Sequence, residues 1–227
     1  MERRADLELR ELRQDLVKMA GLAEAAIGKA VRALVVRDRG LAQEVLQNEH
    51  HINDMEIQLE DRCMRLLALH QPEAGDLRFI TMALKITGDL ERIGDLSVNI
   101  VQRVQDLLTE PPLKPLIDLP RLALEAQKML RDSLDAFVQG NADLARDVCR
   151  RDDEVDSLND MIYQDLLEYM QRDESSITRA LHLILISRNL ERVGDHATNI
   201  AEDVIYLIEG KTIKHHAAEG RDDRYSR

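Results

Sequence analysis

Apolar residues recur every three or four positions along most of the chain, which is the spacing that places them on one face of an α-helix. The pattern predicts six long helices, over residues 6–38, 41–70, 76–109, 119–139, 142–171 and 175–209. In the first helix the predicted core positions are Leu12, Leu16, Met19, Ala23, Ala26, Ala30 and Leu34. Glycine ends many helices because it adopts positive φ freely. The helices are therefore predicted to end at Gly40 (first), Gly140 (fourth) and Gly210 (sixth).

The positions of proline divide the chain into two halves. Four of the five prolines lie between Pro111 and Pro120, and none occurs in the first 71 or the last 107 residues. Long proline-free stretches suit long helices, and three helices joined by short turns form an antiparallel bundle. We therefore predict an all-α fold of two tandem three-helix bundles, residues 1–110 and 119–210. A proline-rich linker over 111–118 would join them, and a mobile polar tail over 211–227 would follow.

The two halves also repeat each other in sequence. Residues 89–101 align with residues 189–201 at an offset of 100, with seven of thirteen positions identical. The second helices of the two halves align at an offset of 103. A bias toward leucine could match Leu with Leu, but it would not place Glu, Arg, Gly, Asp and Asn in the same order twice. The chain is therefore an internal duplication, and the two bundles are predicted to be pseudo-symmetric.

Composition narrows the class of protein. The chain has 227 residues with a net charge of −12 and only six aromatic residues, which disfavours binding to nucleic acid. The longest apolar runs are about four residues, whereas a membrane-spanning helix needs about 20, so no membrane insertion is expected. Cys63 and Cys149 are isolated, which excludes a disulfide framework and any Cys-x-x-Cys site. These features predict a cytoplasmic protein.

A repeated set of carboxylates is the strongest candidate for chemistry. Residues four apart on a helix share nearly one face, and Glu91 falls inside the apolar arc of its helix, where a charge is costly unless it is paired or bound to a cation. Gly94 and Gly194 lie between the acids of each pair, so we expect a close helix approach or room for a ligand there. The candidate residues on the third and sixth helices are Glu91, Asp95, Glu191 and Asp195, with Asn99 and Asn199 as weaker candidates.

The second helix of each half offers a complement to these acids. Glu49 and Asn53 in the first half correspond to Asp152 and Asp156 in the second half, and all four lie beside the apolar face of their helices. Clusters made only of oxygen ligands suit Mg, Mn, Fe or Zn. A structural network of ion pairs is the competing interpretation, because arginines such as Arg92 are close enough in sequence to neutralise the acids. The residues alone leave both interpretations open.

Motifs for the commoner enzyme classes are missing from the sequence. There is no Glu-x-x-His, His-Glu-x-x-His or Gly-x-Ser-x-Gly, and no complete phosphate-binding loop of the form Gly-x-x-x-x-Gly-Lys-Ser/Thr. We therefore expect no catalytic role. A metal-dependent enzyme with a carboxylate site on the helical scaffold is the alternative, since it would use the same ligands.

The duplicated motif resembles that of the PhoU family of phosphate-uptake regulators. The resemblance is carried by Leu-Glu-Arg-Ile-Gly-Asp at 90–95 and Leu-Glu-Arg-Val-Gly-Asp at 190–195, each with Asn-Ile four residues on. It also includes Asp-Leu-Arg at 76–78, which opens the third helix, and Val-Ile-Tyr-Leu at 204–207, which precedes Gly210. The resemblance extends over the chain to about Gly210. It implies two tandem three-helix bundles, in agreement with the helical pattern.

The resemblance also implies a function. Members of this family are cytoplasmic, often dimeric and not enzymes. They are negative regulators of the phosphate-starvation response, and they couple the phosphate-specific ABC transporter to a sensor histidine kinase. Some bind iron or zinc clusters through E/D-x-x-x-D motifs. Carried to this chain, the ligand pairs would be Glu91–Asp95, Glu191–Asp195, Asp152–Asp156 and Glu49–Asn53. In the last pair Asn replaces the second acid, which makes the first cluster the weaker candidate.

Overall fold

Six long α-helices make up the computed structural model, which describes residues 4–211 and residue 213. The helices are α1 (Arg4–Val36), α2 (Arg39–His70), α3 (Ala74–Leu107), α4 (Asp118–Gln139), α5 (Ala142–Arg172) and α6 (Ile177–Glu209), with a 3-10 turn at Glu174–Ser176. No β-strand occurs in this described part of the chain, so the predicted all-α fold is confirmed. The polar tail predicted for 211–227 lies outside the described residues, apart from Lys211 and Ile213.

The helices form two bundles that pack side by side. In the first bundle α2 packs on α1 and α3, and in the second α5 packs on α4 and α6. The bundles meet where α3 lies along α6 and α1 contacts α4. Buried apolar side chains from all six helices form one continuous core. None of the helices within residues 4–211 has an apolar stretch long enough to cross a membrane, because the apolar residues are concentrated on the faces that pack.

The junction between α1 and α2 differs from the prediction. α1 ends at Val36, and Arg37 adopts a positive φ of 56°. Asp38 is the N-cap of α2, because its carboxylate accepts hydrogen bonds from the backbone N–H groups of Gly40 at 2.7 Å and Leu41 at 3.3 Å. Gly40 therefore lies in the first turn of α2, and the prediction that it ends the first helix was wrong.

The other predicted glycine caps are confirmed. Gly140 ends α4 with a φ of 63°, and Gly210 ends α6 with a φ of 68°. The sixth helix begins at Ile177 and not at the predicted residue 175, because a 3-10 turn precedes it. Asp173 stabilises this turn by accepting hydrogen bonds from the backbone N–H and the hydroxyl of Ser175, at 2.9 and 2.8 Å.

The connection between α3 and α4, residues 108–117, is held by side chains from both bundles. From the first bundle, Arg37 donates hydrogen bonds from Nη2 to three carbonyl oxygens at and just after the end of α3, the shortest of 2.6 Å to Glu110. From the second bundle, Arg179 donates a hydrogen bond of 3.3 Å to the carbonyl oxygen of Pro111. The connection between the bundles is thus fixed at its first residues by one arginine from each side.

Polar contacts also join the two bundles along α3 and α6. His196 Nδ1 lies 2.8 Å from Asp89 Oδ1, and Lys85 Nζ lies 3.3 Å from the carboxylate of Asp203, a residue that is only 1% exposed. His196 follows Asp195 directly in the sequence, but this ring nitrogen points across the interface toward α3. These two pairs join α3 to α6, the helices that carry the candidate acids Glu91 and Glu191.

Candidate functional site

Each repeated glycine marks the point where two helices cross closely. A Cβ atom placed on Gly94 of α3 would lie 3.1 Å from Ile52 Cδ1 of α2, and one placed on Gly194 of α6 would lie 3.1 Å from Val155 Cγ1 of α5. Such distances are shorter than ordinary carbon–carbon contacts. The expected close approach is therefore present in both bundles, and it brings the acids of the crossing helices into one groove.

In the second bundle, the crossing gathers the predicted acids. Carboxylate oxygens of Asp156, Glu191 and Asp195 all lie within 4.8 Å of one another. Asp152 is one helical turn from Asp156, and its Oδ1 lies 3.8 Å from the position that a Cβ on Gly194 would occupy. The sequence therefore identified a set of four carboxylates that the fold does bring together.

Two oxygen atoms of this group are buried without a hydrogen-bond partner. They are Oδ1 of Asp152 and Oε2 of Glu191. The hydroxyl of Thr198 lies near enough to Asp152 to lower its pKa, but outside hydrogen-bonding geometry. Leaving a buried carboxylate oxygen unsatisfied is costly, because the group has lost its water without gaining a donor. A buried carboxylate oxygen that lacks a donor and lies beside three other carboxylates is typical of a site that binds a cation. We refer to Asp152, Asp156, Glu191 and Asp195 as the second-bundle cluster.

The electrostatics of the second-bundle cluster agree with this geometry. Burial, followed by repulsion from Asp195 and Asp156, raises the pKa of Asp152 to about 6. Burial is also the largest cause that raises the pKa values of Asp156, Glu191 and Asp195, although Asp156 and Asp195 keep one side exposed to solvent. At Asp195 the effect is opposed by the positive charges of Arg192 and Arg188, with His196 opposing it most. A bound cation would relieve the repulsion among these groups.

We expect the raised pKa of Asp152 to make the stability of the metal-free protein depend on pH. Its folded-state pKa lies above the value in the unfolded chain, so the folded state binds the extra proton, and this stabilising contribution is lost as the pH rises from about 4 to 6. The free energy of unfolding of Asp152→Asn should therefore be about 1 kcal/mol higher than that of wild type at pH 7. This difference should shrink toward pH 4.

Urea unfolding of chelator-treated protein at pH 4, 5, 6 and 7 measures this difference. Asp153→Asn, at an exposed neighbouring position, is the control and should show no comparable change. A difference between Asp152→Asn and wild type that stays constant across the pH range would contradict the assignment.

The first bundle arranges the equivalent residues differently. Asn53 Nδ2 lies 3.4 Å from Glu49 Oε1, so the amide that replaces an acid donates to the acid beside it. Arg92 contacts both acids of α3, with Nε 3.4 Å from Glu91 Oε2 and Nη1 3.4 Å from Asp95 Oδ2. Among the described residues, only the second bundle brings three potential ligands within 4.8 Å of one another. The first-bundle candidates thus contact other side chains of the protein, although burial, followed by repulsion from Asp95, still raises the pKa of Glu91.

Sequence reasoning missed one acid in the first bundle. Glu56 is close enough to Asp95 for repulsion between them to contribute to a raised pKa of Glu56, after burial and the charge of Glu60. The signal was available, because Glu56 follows Asn53 by three residues and Glu49 by seven, which places all three on one helical face. The corresponding position in the second bundle is Asn159, so the acid has no counterpart there.

Asn99 and Asn199 are each one helical turn from an acid, Asp95 and Asp195, but they form no hydrogen bond with it in the described residues. Asn99 is exposed and Asn199 half-buried, two helical turns beyond Glu91 and Glu191. Neither amide side chain forms a hydrogen bond within the part of the chain that the structure describes. The structure therefore gives no contact that would make them ligands.

The donor set of the second-bundle cluster fits a hard or borderline cation. It offers only carboxylate oxygens, which are preferred by Mg and Mn and accepted by Fe and Zn. The orphaned oxygens of Asp152 and Glu191 provide two positions that a cation could satisfy. The fold and site together define an all-α repeat protein with an acidic groove at the helix crossing of each bundle.

Comparison with known proteins identifies the family. The sequence model of the PhoU domain matches the chain twice, over residues 16–104 and 119–204. The chain therefore belongs to the PhoU family. One match falls in each bundle, in agreement with the predicted duplication.

Two relatives are similar to this chain over most of its length. A protein of Aquifex aeolicus named phosphate-specific transport system accessory protein PhoU homolog is 43% identical over 208 residues, covering 92% of this chain and 94% of the relative. A protein of the same name from Pseudomonas aeruginosa is 41% identical over 209 residues, covering 92% of this chain and 86% of the relative.

Two crystal structures have the same fold. PhoU from Pseudomonas aeruginosa superimposes with a TM-score of 0.88 at 40% identity, covering 91% of this chain and 99% of that one. The phosphate transport system regulatory protein PhoU from Streptococcus pneumoniae gives 0.85 at 30% identity, covering 92% and 99%. The prediction of two tandem, pseudo-symmetric three-helix bundles is confirmed.

Proposed function

We propose that this protein is a negative regulator of phosphate uptake and of the phosphate-starvation response. It acts in the cytoplasm as a non-catalytic adaptor between the phosphate-specific ABC transporter and a sensor histidine kinase. The observation that carries the proposal is the match to relatives named as accessory proteins of the phosphate-specific transport system. That match covers 92% of this chain at 41–43% identity. Both bundles are included, so the whole regulatory scaffold is shared.

An exposed apolar stripe on α6 supports contact with a partner protein. Ile177, Leu181 and Leu185 follow one another at helical spacing, and they are 45%, 49% and 40% exposed. Exposed apolar side chains that line up in this way are typical of protein interaction surfaces. The equivalent positions of α3 include the polar residues Thr81 and Lys85, so the stripe distinguishes the second bundle from the first.

Binding to the transporter tests the adaptor role. The purified full chain should bind the phosphate-specific ABC transporter of the same organism in lipid nanodiscs and should not bind empty nanodiscs. Leu181→Asp should weaken this binding about tenfold, because it places a charge in the apolar stripe. Thr81→Asp, at the equivalent exposed position of α3, should leave it unchanged. Absence of binding by wild type contradicts the adaptor role, and equal effects of the two variants contradict the assigned surface.

We further propose that the second-bundle cluster binds Fe or Zn, with Mn and Mg as the alternatives. The support is the close approach of Asp156, Glu191 and Asp195, together with the buried oxygens of Glu191 and Asp152 that lack a hydrogen-bond partner. A bound cation would remove repulsion between α5 and α6 and so stabilise the second bundle.

We also propose that the protein forms a homodimer. Light scattering of the purified chain tests this proposal, and we expect twice the chain mass of 26.0 kDa.

A further inference from the structure

We infer that the sensor histidine kinase binds this chain in a groove at one end of the two bundles, through a segment that combines acidic and apolar side chains. The inference rests on the proposed adaptor function and assigns a surface to its second partner. The groove has a volume of about 750 Å³, which is large enough to receive several side chains. We call it the end groove, and the lining residues that carry the argument are Leu9, Arg13, Asp76, Val138, Leu207 and Ile208.

The end groove lies where the two bundles meet. Residues of α1 and α3 from the first bundle and of α4 and α6 from the second line it. The stacked rings of Phe79 and Phe137, the two phenylalanines of the chain, form part of its wall. A partner bound in this groove would contact both bundles at once.

Arg13 presents a positive charge that is held in place without an acid. Its guanidinium lies 5.0 and 5.6 Å from the ring centroids of Phe79 and Phe137, and Nη1 donates a long hydrogen bond of 3.4 Å to the carbonyl oxygen of Val138. It forms no ion pair with any residue that the structure describes. Contact with aromatic rings positions a guanidinium while leaving most of its N–H donors unused. Arg13 therefore keeps donors that suit a carboxylate of a partner.

The charge of the end groove is opposite in sign to that of the whole chain. The net charge of the chain is −12, yet the described residues that line the groove include two arginines, Arg10 and Arg13, and one acid, Asp76. Arg78 lies beside the end of α6, because its Nη1 is 2.7 Å from the position of a Cβ placed on Gly210. An acidic segment is thus repelled by much of the surface and attracted here, and such complementarity fixes where a partner docks.

Exposed apolar side chains complete the lining of the end groove. Val138 of α4 is 42% exposed and Ile208 of α6 is 39% exposed. Apolar side chains at a protein interface are covered by apolar side chains of the partner. The groove therefore fits a protein segment that carries an acid among apolar residues, and it fits a free anion less well.

The end groove is well separated from the apolar stripe assigned to the transporter. Both surfaces include residues of α6, but Leu181 and Ile208 lie near opposite ends of this helix. A rise of 1.5 Å per residue places them about 40 Å apart along its axis. An adaptor that binds two partners together needs two separate surfaces. The end groove is thus available to the kinase while the transporter occupies the stripe.

Binding of the sensor histidine kinase of the same organism, held in lipid nanodiscs, tests the inference through two matched pairs of variants. Arg13→Glu should weaken kinase binding at least about tenfold, whereas Arg32→Glu, at another exposed position of α1, should leave it unchanged. Val138→Asp should also weaken binding, whereas Leu124→Asp, on the exposed face of α4, should not. Circular dichroism confirms that the variants are folded, and Val138→Asp tests the groove without altering the contact between Arg13 and the rings.

Transporter binding provides a second readout, which a general loss of structure would not reproduce. Leu181→Asp should weaken binding to the transporter and leave binding to the kinase unchanged, and Arg13→Glu should do the reverse. Raising the salt concentration from about 0.05 to 0.5 M should weaken kinase binding more for wild type than for Arg13→Ala, because salt screens ion pairs at the surface.

The outcomes separate this inference from the adaptor function. Equal kinase binding by wild type, Arg13→Glu and Val138→Asp would overturn the inference and leave the adaptor function standing. Absence of kinase binding by wild type would contradict the adaptor function itself. A wild-type dimer that becomes monomeric in Arg13→Glu would assign the groove to a second copy of the chain. Stronger kinase binding by Arg13→Glu would assign it to another segment of the same chain, and either result would overturn the inference.

Discussion

Replacing Gly194 by leucine is expected to lower the free energy of unfolding by about 3 kcal/mol and to open the second-bundle cluster. A Cβ at this position would already lie 3.1 Å from Val155 Cγ1 and 3.8 Å from Asp152 Oδ1. The remaining atoms of leucine would have to displace α5, because overpacked cores accommodate extra methylene groups only by shifting the backbone. The gap between α5 and α6 would widen, and the variant should also bind zinc more weakly.

Urea unfolding of the purified chain measures the stability change, and Gly88→Ala provides the control. Gly88 lies in the interior of α3, and no atom would be within 4 Å of an added Cβ. The replacement should therefore stabilise the protein by up to about 1 kcal/mol through helix propensity alone. If Gly194→Leu were as stable as wild type, the close crossing of α5 and α6 would be contradicted.

Phe137→Ala is expected to destabilise the protein by about 3–5 kcal/mol, because it removes a buried ring at the contact between the bundles. Phe137 of α4 stacks on Phe79 of α3, with ring centroids 5.5 Å apart and an interplanar angle of 16°. The guanidinium of Arg13 lies over both rings, at 5.0 and 5.6 Å from their centroids. The substitution would thus weaken a contact among three helices and leave a cavity in the shared core.

The control for this prediction lies on the same helix. Leu124 of α4 is 62% exposed, and its replacement by alanine should change the stability by no more than about 0.5 kcal/mol. Both variants are compared by urea denaturation followed by circular dichroism. A loss below about 1 kcal/mol for Phe137→Ala would mean that the ring stack does not help to hold the bundles together.

Much of the fold follows from the sequence, because hydrophobic periodicity and proline position are local signals. The six helices, the duplication and the caps at Gly140 and Gly210 are all confirmed. The prediction that Gly40 ends the first helix was wrong because the sequence signal has two meanings. A glycine after a long helix is compatible both with a C-terminal cap and with the first turn of the next helix. The hydrogen bonds accepted by Asp38 decide between the two.

The candidate site was only partly predictable. Helical spacing located the acids, and the structure confirms that those of the second bundle come together. Spacing could not show that Arg92 turns toward the acids whereas Arg192 does not. The facing helices also differ, because α2 carries Asn53 at the position where α5 carries Asp156. The positions of these side chains follow from how the helices pack, which sequence spacing does not give.

The most direct test of the regulatory role is expression of a phosphate-starvation reporter in cells that lack this protein, grown in high phosphate. We predict that the reporter is expressed in the deletion strain and is repressed again when the wild-type chain is supplied from a plasmid. Derepression would follow because nothing would then pass the state of the transporter to the kinase. A reporter that stays repressed in the deletion strain would contradict the proposed function.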